Sequence, residues 1–331
     1  MKKKILVNDG ISEEGKKRLI EYQFDVIDEH VKQKDLIKFI QKNKIIAILV
    51  RSATQVKRDI IDSCPTIKLI GRGGVGMDNI DVEYAKKKGI DVINTPNASS
   101  RSVAELVFTH LFSLVRKTYQ SNRTMPLEGD SNFKELKKIY SNGQELSGKT
   151  IGILGFGKIG QEVAKIAIGI GMKVLFFDPK VKEKELELVF LHKQKITFKL
   201  KRTDYEELLK QSEIISLHIP KQNKPLITKK ELKMMKKGVF LINTSRGGII
   251  DETDLINFLQ SRHINSIGLD VYENEPKIDP RLKKLNNVVL LPHIGSATIE
   301  GRVAMGEKVI INIKTVADGH TPPDLVLETL I

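Results

Sequence analysis

Three polar residues suited to proton and anion chemistry each follow an apolar, strand-like run. Arg246 comes after VFLINTS, Glu275 after IGLDVYEN, and His293 after NVVLLP. A histidine exchanges a proton near neutral pH, a carboxylate beside it favours the charged ring, and an arginine binds an anion. Oxidation of an alcohol needs these groups beside a hydride acceptor. Taken singly, each has a plainer explanation: a hydrogen-bonded strand end for His293, a surface ion pair for Arg246, a loop charge for Glu275.

A glycine-rich motif supplies the expected hydride acceptor. GFGKIG places Gly155, Gly157 and Gly160 between the strand-like KTIGIL and the helical QEVAKIAIGIG. Such glycines permit a tight turn, close approach to a pyrophosphate and close packing of helix on strand, and the helix N-terminus attracts the anion. Asp178 ends the next strand, KVLFFD, where a carboxylate accepts from a ribose 2′-hydroxyl and repels a 2′-phosphate. The motif therefore predicts that the cofactor is NAD. The nearby lysines, Lys180 and Lys182, keep NADP open as an alternative.

A second glycine cluster, GRGGVG at 71–76, also follows an apolar run. The following MDNIDVEYAKKKG offers neither an apolar helix nor an acidic strand tip, both of which a dinucleotide site needs. We therefore interpret this cluster as a backbone loop that binds something other than the dinucleotide.

The elements that position these residues form two series of alternating strands and helices. Such alternation indicates βαβ units and mostly parallel sheets. The second series starts at residue 149. The polar stretch 121–148 shows no clean hydrophobic periodicity, and we interpret it as a connector or arm. The pattern of residues 180–200 fits a helix and a strand equally well. The predicted strands are 4–7, 45–50, 67–71, 90–94, 149–154, 173–178, 213–220, 238–244, 264–271 and 287–293, and the predicted helices are 12–22, 32–42, 81–89, 101–119 and 299–319.

Composition narrows the class of protein. The 331 residues suffice for two domains, and the net charge of +14 comes from lysines scattered along the chain, with no tryptophan and only 5% aromatics. A nucleic-acid binder concentrates its basic residues and interleaves aromatics, so no nucleic-acid partner is predicted. The single Cys64 excludes a disulfide framework and a thiolate metal cluster. No signal peptide or membrane-length apolar segment is present, and we predict a cytoplasmic protein with no membrane partner and no metal.

Several motifs together carry a family resemblance. NTSRGGIIDETDL, GLDVYENEP and LLPHIGSAT, with GFGKIG upstream, resemble the signature segments of the D-isomer-specific 2-hydroxyacid dehydrogenases. VRSATQV and GRGGVGMDNIDVEYAKKKGIDVINTPNASSRSVAEL are most similar to the D-3-phosphoglycerate dehydrogenases of that family. The resemblance implies two doubly wound parallel-sheet domains, with a Rossmann NAD-binding domain (100–298) inserted in a flavodoxin-like substrate domain (1–99 plus 299–331).

The resemblance also implies roles for individual residues. His293 would be the acid–base, Glu275 would tune it, and Arg246 would bind the substrate's carboxylate or carbonyl oxygen. The substrate carboxylate would meet the backbone of Gly74, Val75 and Gly76, and Arg51 and Arg72 would meet a phosphate, although a surface arginine remains an alternative for Arg51. The implied cofactor contacts are Gly155, Gly157, Lys158, Ile159, Gly160, Asp178, Thr244, Arg246, Asp270, His293, Gly295 and Ser296.

The activity implied is NAD-dependent oxidation of D-3-phosphoglycerate, a step of serine biosynthesis, by a homodimer built through the second domain and residues 100–148. The alternative within the family is a glyoxylate or hydroxypyruvate reductase. The alternative of another class is an NAD-sensing corepressor, which shares the fold and retains the three polar residues. Nothing in the sequence resembles the added interaction tail that such a corepressor would use.

Overall fold

A computed structural model describes residues 3–326 of the chain. Contacts between Cα atoms divide the chain into two compact units: unit 1 holds residues 1–102 and 296–331, and unit 2 holds residues 103–295. Unit 2 is thus inserted in the sequence of unit 1. The predicted domain boundaries lie three residues from these limits.

Unit 1 is built on a five-stranded parallel sheet of order β2-β1-β3-β4-β5, which confirms the flavodoxin-like topology. Alternate strand residues point to opposite faces, and both faces are covered, so the strands are almost continuously apolar. One face packs with α2, α3 and α4, and the other with α1 and α12. The elements are β1 (Lys4–Val7), α1 (Glu13–Glu21), β2 (Asp25–Asp28), α2 (Leu36–Asn43), β3 (Ala47–Val50), α3 (Arg58–Ser63), β4 (Leu69–Arg72), α4 (Val82–Lys87), β5 (Asp91–Ile93) and, after unit 2, α12 (Ile299–Ala317).

Unit 2 is built on a six-stranded parallel sheet of order β13-β12-β11-β10-β6-β7. Starting from β6, the chain adds β7 on one side of β6 and then β10 to β13 on the other side. This change in the direction of strand addition between β6 and β10 confirms the predicted doubly wound Rossmann fold. The elements are α5 (Ser100–Val115, which begins in unit 1), α6 (Thr118–Tyr140), β6 (Thr150–Leu154), α7 (Lys158–Gly169), β7 (Lys173–Phe177), β8 (Glu183–Val189), β9 (Lys195–Lys201), α8 (Tyr205–Gln211), β10 (Ile214–Leu217), α9 (Lys229–Met234), β11 (Val239–Asn243), α10 (Glu252–Gln260), β12 (Ile264–Leu269), α11 (Pro280–Lys283) and β13 (Val288–Leu290).

Two segments differ from the sequence-based prediction. Most of 121–148 is not a connector but belongs to α6, whose backbone leaves helical geometry only at Asn132. The ambiguous stretch 180–200 forms an antiparallel hairpin of β8 and β9, apart from the main sheet. Leu186 and Leu188 are buried on one side of the hairpin, while Glu183 and Lys199 form an ion pair across its strands.

Candidate active site

The first part of the site is the turn between β6 and α7. Gly155 has φ +91°, and a Cβ there would lie 2.3 Å from the carbonyl oxygen of His218, so only glycine fits. Gly157 is the exposed N-cap of α7, and Lys158, Ile159 and Gly160 form its first turn. The turn lies where the sheet order reverses, which is where open α/β sheets bind ligands, and the amides of the first helical turn suit an anion.

Asp178 is docked onto this turn. Its Oδ2 accepts from the Phe156 amide at 2.7 Å, and its Oδ1 accepts from the amides of Lys180 and Val181 at 2.8 and 3.1 Å. The carboxylate, at the end of β7, is therefore held in place by the backbone. The contact of Asp178 with a cofactor ribose stays a prediction.

Two buried polar atoms near the carboxyl ends of neighbouring strands have no hydrogen-bond partner among residues 3–326. Thr244 Oγ1 follows β11, and His218 Nδ1 follows β10, while His218 Nε2 lies 2.8 Å from Ser216 Oγ. Burial lowers the pKa of His218 to about 3, so the ring is neutral at physiological pH. Buried polar groups are nearly always paired, and unpaired ones at this edge indicate a ligand. The glycine turn, Asp178 and these two atoms therefore fit a dinucleotide.

The second part of the site is a carboxylate–imidazole pair. His293 Nδ1 lies 2.9 Å from Glu275 Oε2, and the other oxygen, Oε1, accepts from the Tyr272 amide at 3.0 Å. Both side chains are partly exposed, at 46% for His293 and 36% for Glu275. Burial raises the pKa of Glu275, but the hydrogen bond and charge of His293, with the Tyr272 amide and Arg246, outweigh it and leave that pKa lowered. Glu275 is thus a charged partner for the ring.

Asp270 lies beneath the loop that carries His293. The side chain is fully buried, and its two oxygens accept from the amides of Ile294 and Gly295 at 2.8 and 2.7 Å. Burial raises the pKa of Asp270 against the lowering effect of these two hydrogen bonds. His293 itself has φ +56°, a left-handed conformation that this anchoring supports. Asp270 was predicted as a cofactor contact; sequence reasoning missed that it also holds the loop.

Two further residues shape this edge of unit 2. Tyr272 is buried and donates from its hydroxyl to the carbonyl of Leu291, two residues before His293. Asn243 donates from Nδ2 to the carbonyl of Arg246 at 2.9 Å and so closes the turn that presents that arginine. Neither residue was predicted, although both lie inside the quoted motifs. The unit thus brings the glycine turn, Asp178, Thr244, Arg246, Asp270, Glu275, His293 and Gly295 to the carboxyl edge of one sheet, whereas Ser296 begins the second segment of unit 1.

The remaining predicted residues lie at the carboxyl edge of the sheet of unit 1. Arg51 follows β3, and Arg72 ends β4. The Gly74 amide donates to Thr95 Oγ1 at 2.9 Å, so this amide already has a protein acceptor. The amides of Val75 and Gly76 donate to no protein acceptor among residues 3–326, which leaves them available to an anion.

Two kinds of feature are not found in the part of the chain that the structure describes. Residues 3–326 contain no cluster of three His, Cys, Asp or Glu side chains that could hold a metal ion. Within the same range, no helix combines the length and apolar character that a bilayer crossing requires.

Comparison with known proteins identifies relatives along nearly the whole chain. The family model for the D-isomer specific 2-hydroxyacid dehydrogenase, NAD binding domain, matches residues 108–295. A hydroxypyruvate reductase of Thermotoga maritima is 39% identical over 316 residues, covering 94% of this chain and 97% of that protein. A D-3-phosphoglycerate dehydrogenase of Bacillus subtilis is 36% identical over 319 residues, covering 96% of this chain but 57% of that protein. The crystal structure of a glyoxylate reductase from Paecilomyes thermophila matches with a TM-score of 0.81 and 28% identity, covering 98% of each chain.

Proposed function

The chain belongs to the D-isomer specific 2-hydroxyacid dehydrogenase family, and we propose on that basis that it interconverts a small anionic D-2-hydroxyacid and its 2-oxoacid by NAD-dependent hydride transfer. The observation that carries this proposal is the Glu275–His293 pair, held on the sheet edge where the dinucleotide turn also lies. When bound, the nicotinamide accepts a hydride from the hydroxyacid or returns it to the oxoacid. The other requirements fall to side chains of this protein.

His293 moves the proton. A carboxylate only accepts hydrogen bonds, so Nδ1 of His293 carries the hydrogen that faces Glu275, and Nε2 is left to face the substrate. In oxidation, neutral Nε2 takes the hydroxyl proton as the C–H bond breaks. In reduction, the imidazolium returns that proton to the carbonyl oxygen. The charge of Glu275 stabilises the imidazolium in both directions.

Arg246 orients the substrate in this proposal. Its backbone is held by Asn243, and its guanidinium Nη1 donates to the Ser245 carbonyl at 2.6 Å. A guanidinium offers several donors in one plane, so it can bind a carboxylate or polarise a carbonyl oxygen. For unit 1 taken by itself, we propose that the amides of Val75 and Gly76 bind a carboxylate.

The identity of the substrate depends on Arg51 and Arg72. A small 2-oxoacid without a charged tail needs no additional cations, whereas a phosphate does. We therefore infer that the leading substrate pair is D-3-phosphoglycerate and 3-phosphohydroxypyruvate, a reaction of serine biosynthesis. The second candidate is reduction of hydroxypyruvate or glyoxylate, which is favoured by relatives of those names that match over their full length.

Exposed apolar side chains on α5 and α6 support a homodimer. Phe112, Leu127, Phe133 and Ile139 are 48%, 82%, 59% and 47% exposed. Large apolar side chains left exposed on neighbouring helical segments of the sequence are the kind of surface that a protein partner covers. The single thiol, Cys64, is buried. We propose a cytoplasmic location because a chain with one cysteine has no disulfide framework.

Steady-state kinetics with NADH test the substrate. We expect a higher kcat/KM with 3-phosphohydroxypyruvate than with hydroxypyruvate or glyoxylate, and a loss of that preference on changing Arg51 and Arg72 to Ala. Arg58→Ala is the matched control, because Arg58 is an exposed arginine of unit 1 paired with Asp81. Equal efficiency with all three acids, unaffected by the double substitution, would instead establish the unphosphorylated substrates.

A further inference from the structure

One buried amide connects the two arginine segments of unit 1. Asn79 is only 4% exposed, and its Oδ1 accepts from Arg72 Nε at 2.9 Å. Its Nδ2 donates to the backbone carbonyls of Arg51 and Thr54, each at 2.7 Å. The side chain therefore uses its acceptor and both its donor hydrogens on these three partners.

Only an amide of this length satisfies all three partners. A carboxylate at position 79 would still accept from Arg72, but it would turn a second oxygen towards two carbonyls. An apolar side chain would leave both carbonyls and the Nε–H group without their partner, and buried groups in that state are costly. The hydrogen-bonding groups of the two arginine segments, rather than side-chain packing, therefore account for an asparagine at position 79.

Both arginines are held from more than one side. The guanidinium of Arg72 lies so close to Gly74 that a Cβ there would be 2.6 Å from Nη1, and Asn79 fixes its Nε edge. The backbone of Arg51 is bound through its carbonyl by Asn79 and through its amide by Asp9 Oδ2, at 2.6 Å. Both restraints come from the protein's own side chains and backbone. Because these groups are held in place, an anion that binds here needs to order fewer of them, which strengthens binding.

We propose that Asn79 is the positioning residue that sets selectivity for an anionic tail, because it fixes the Arg72 guanidinium and the Arg51 backbone in one arrangement. This inference rests on the proposed function, in which both arginines contact the phosphate of a 2-oxoacid. Asn79 itself touches neither the reacting atoms nor the cofactor. Its loss raises the KM for the phosphorylated substrate and leaves kcat and the KM for NADH unchanged.

Two variants separate this role from a general effect on folding. Asn79→Leu removes all three hydrogen bonds, and Asn79→Asp keeps the acceptor for Arg72 Nε but removes both donors to the carbonyls of Arg51 and Thr54. We expect both to raise the KM for 3-phosphohydroxypyruvate about ten-fold or more, as for a lost hydrogen bond to a charged group. The KM for hydroxypyruvate should change about two-fold at most. Asn43→Leu is the control, because the side chain of Asn43, the last residue of α2, bonds within residues 3–326 only to the carbonyl of Phe39.

The outcomes distinguish this inference from the proposed function. If Arg51→Ala and Arg72→Ala raise the KM for the phosphorylated acid but Asn79→Leu and Asn79→Asp do not, Asn79 has no positioning role and the dehydrogenase assignment stands. An equal fall in kcat for both substrates would also overturn the inference, since it indicates general damage. If Asn79→Leu does not fold, as judged by thermal melting, Asn79→Asp decides by the same ratio of KM values. A wild-type protein that neither reduces nor binds any of the three acids would refute both proposals.

Discussion

Replacing Glu275 with glutamine should lower kcat/KM for 2-oxoacid reduction. The substitution keeps the size of the side chain and removes its charge, 2.9 Å from His293 Nδ1. Reduction uses the imidazolium, and the neighbouring carboxylate stabilises that form. Without the carboxylate the charged ring loses this stabilisation, so reduction slows.

The size of the effect follows from the geometry. Two unit charges about 4 Å apart interact by about 4 kcal/mol at an effective dielectric constant of 20. Both side chains are more than a third exposed, and exposed pairs are typically worth about 1 kcal/mol, so solvent reduces this figure severalfold. A loss of about 1 kcal/mol corresponds to a fall of roughly five-fold in kcat/KM.

The assay is kcat/KM for 2-oxoacid reduction, followed by NADH absorbance at one fixed pH. The matched control is Glu273→Gln, which removes an exposed carboxylate from the same loop. The control should reproduce the wild-type kcat/KM, and the value for Glu275→Gln should lie roughly five-fold below it. Equal values for all three proteins would show that Glu275 does not stabilise the charged His293 ring.

Three further substitutions test other parts of the account. Asp270→Asn retains one acceptor for the two amides of the His293 loop, so it should destabilise the protein by about 1–3 kcal/mol and lower kcat, as measured by denaturant unfolding and turnover; unchanged values for both would contradict the anchoring role. Burial lowers the pKa of His110 to about 4 from 6.5, so stability present above pH 6.5 is lost as the pH falls towards 4. Between pH 7 and pH 5, the free energy of unfolding of His110→Phe should therefore fall by about 2 kcal/mol less than that of the wild type. Urea midpoints that change equally with pH in both proteins would refute this. Asp178→Asn should shift the preference for NADH over NADPH about ten-fold towards NADPH, equivalent to about 1.4 kcal/mol, and an unchanged KM ratio would count against the ribose contact.

Most of the fold could be predicted because buried parallel strands are short apolar runs. Each predicted strand overlaps an observed strand, and the glycine turn has its predicted position between β6 and α7. Strand β2 was missed since DVID is bounded by acidic residues, and only its two central residues are apolar. The helix α6 was missed because its polar and apolar residues do not segregate: Leu127 and Phe133 are exposed, and the buried residues of that helix are Gly129 and Leu136.

The candidate site was predictable at the level of residue types and strand ends. Motif spacing placed Arg246, Glu275 and His293 at one edge, and the structure puts two of them in direct contact. The supporting hydrogen bonds were not predictable, because they join residues distant in sequence. Asn79 reaches back 25 and 28 residues, and Asp270 reaches forward 24 and 25. Such partners depend on strand register, which the local pattern does not fix.

The most direct test of the central claim is NADH oxidation by 2-oxoacids, compared between the wild type and His293→Ala, with NADH binding followed by fluorescence. His320→Ala, at an exposed position in unit 1, is the control. We predict that His293→Ala lowers kcat about a hundred-fold to ten-thousand-fold, the usual contribution of a general acid, while NADH affinity stays close to that of the wild type. Undiminished turnover in His293→Ala would contradict the assignment of His293 as the acid–base.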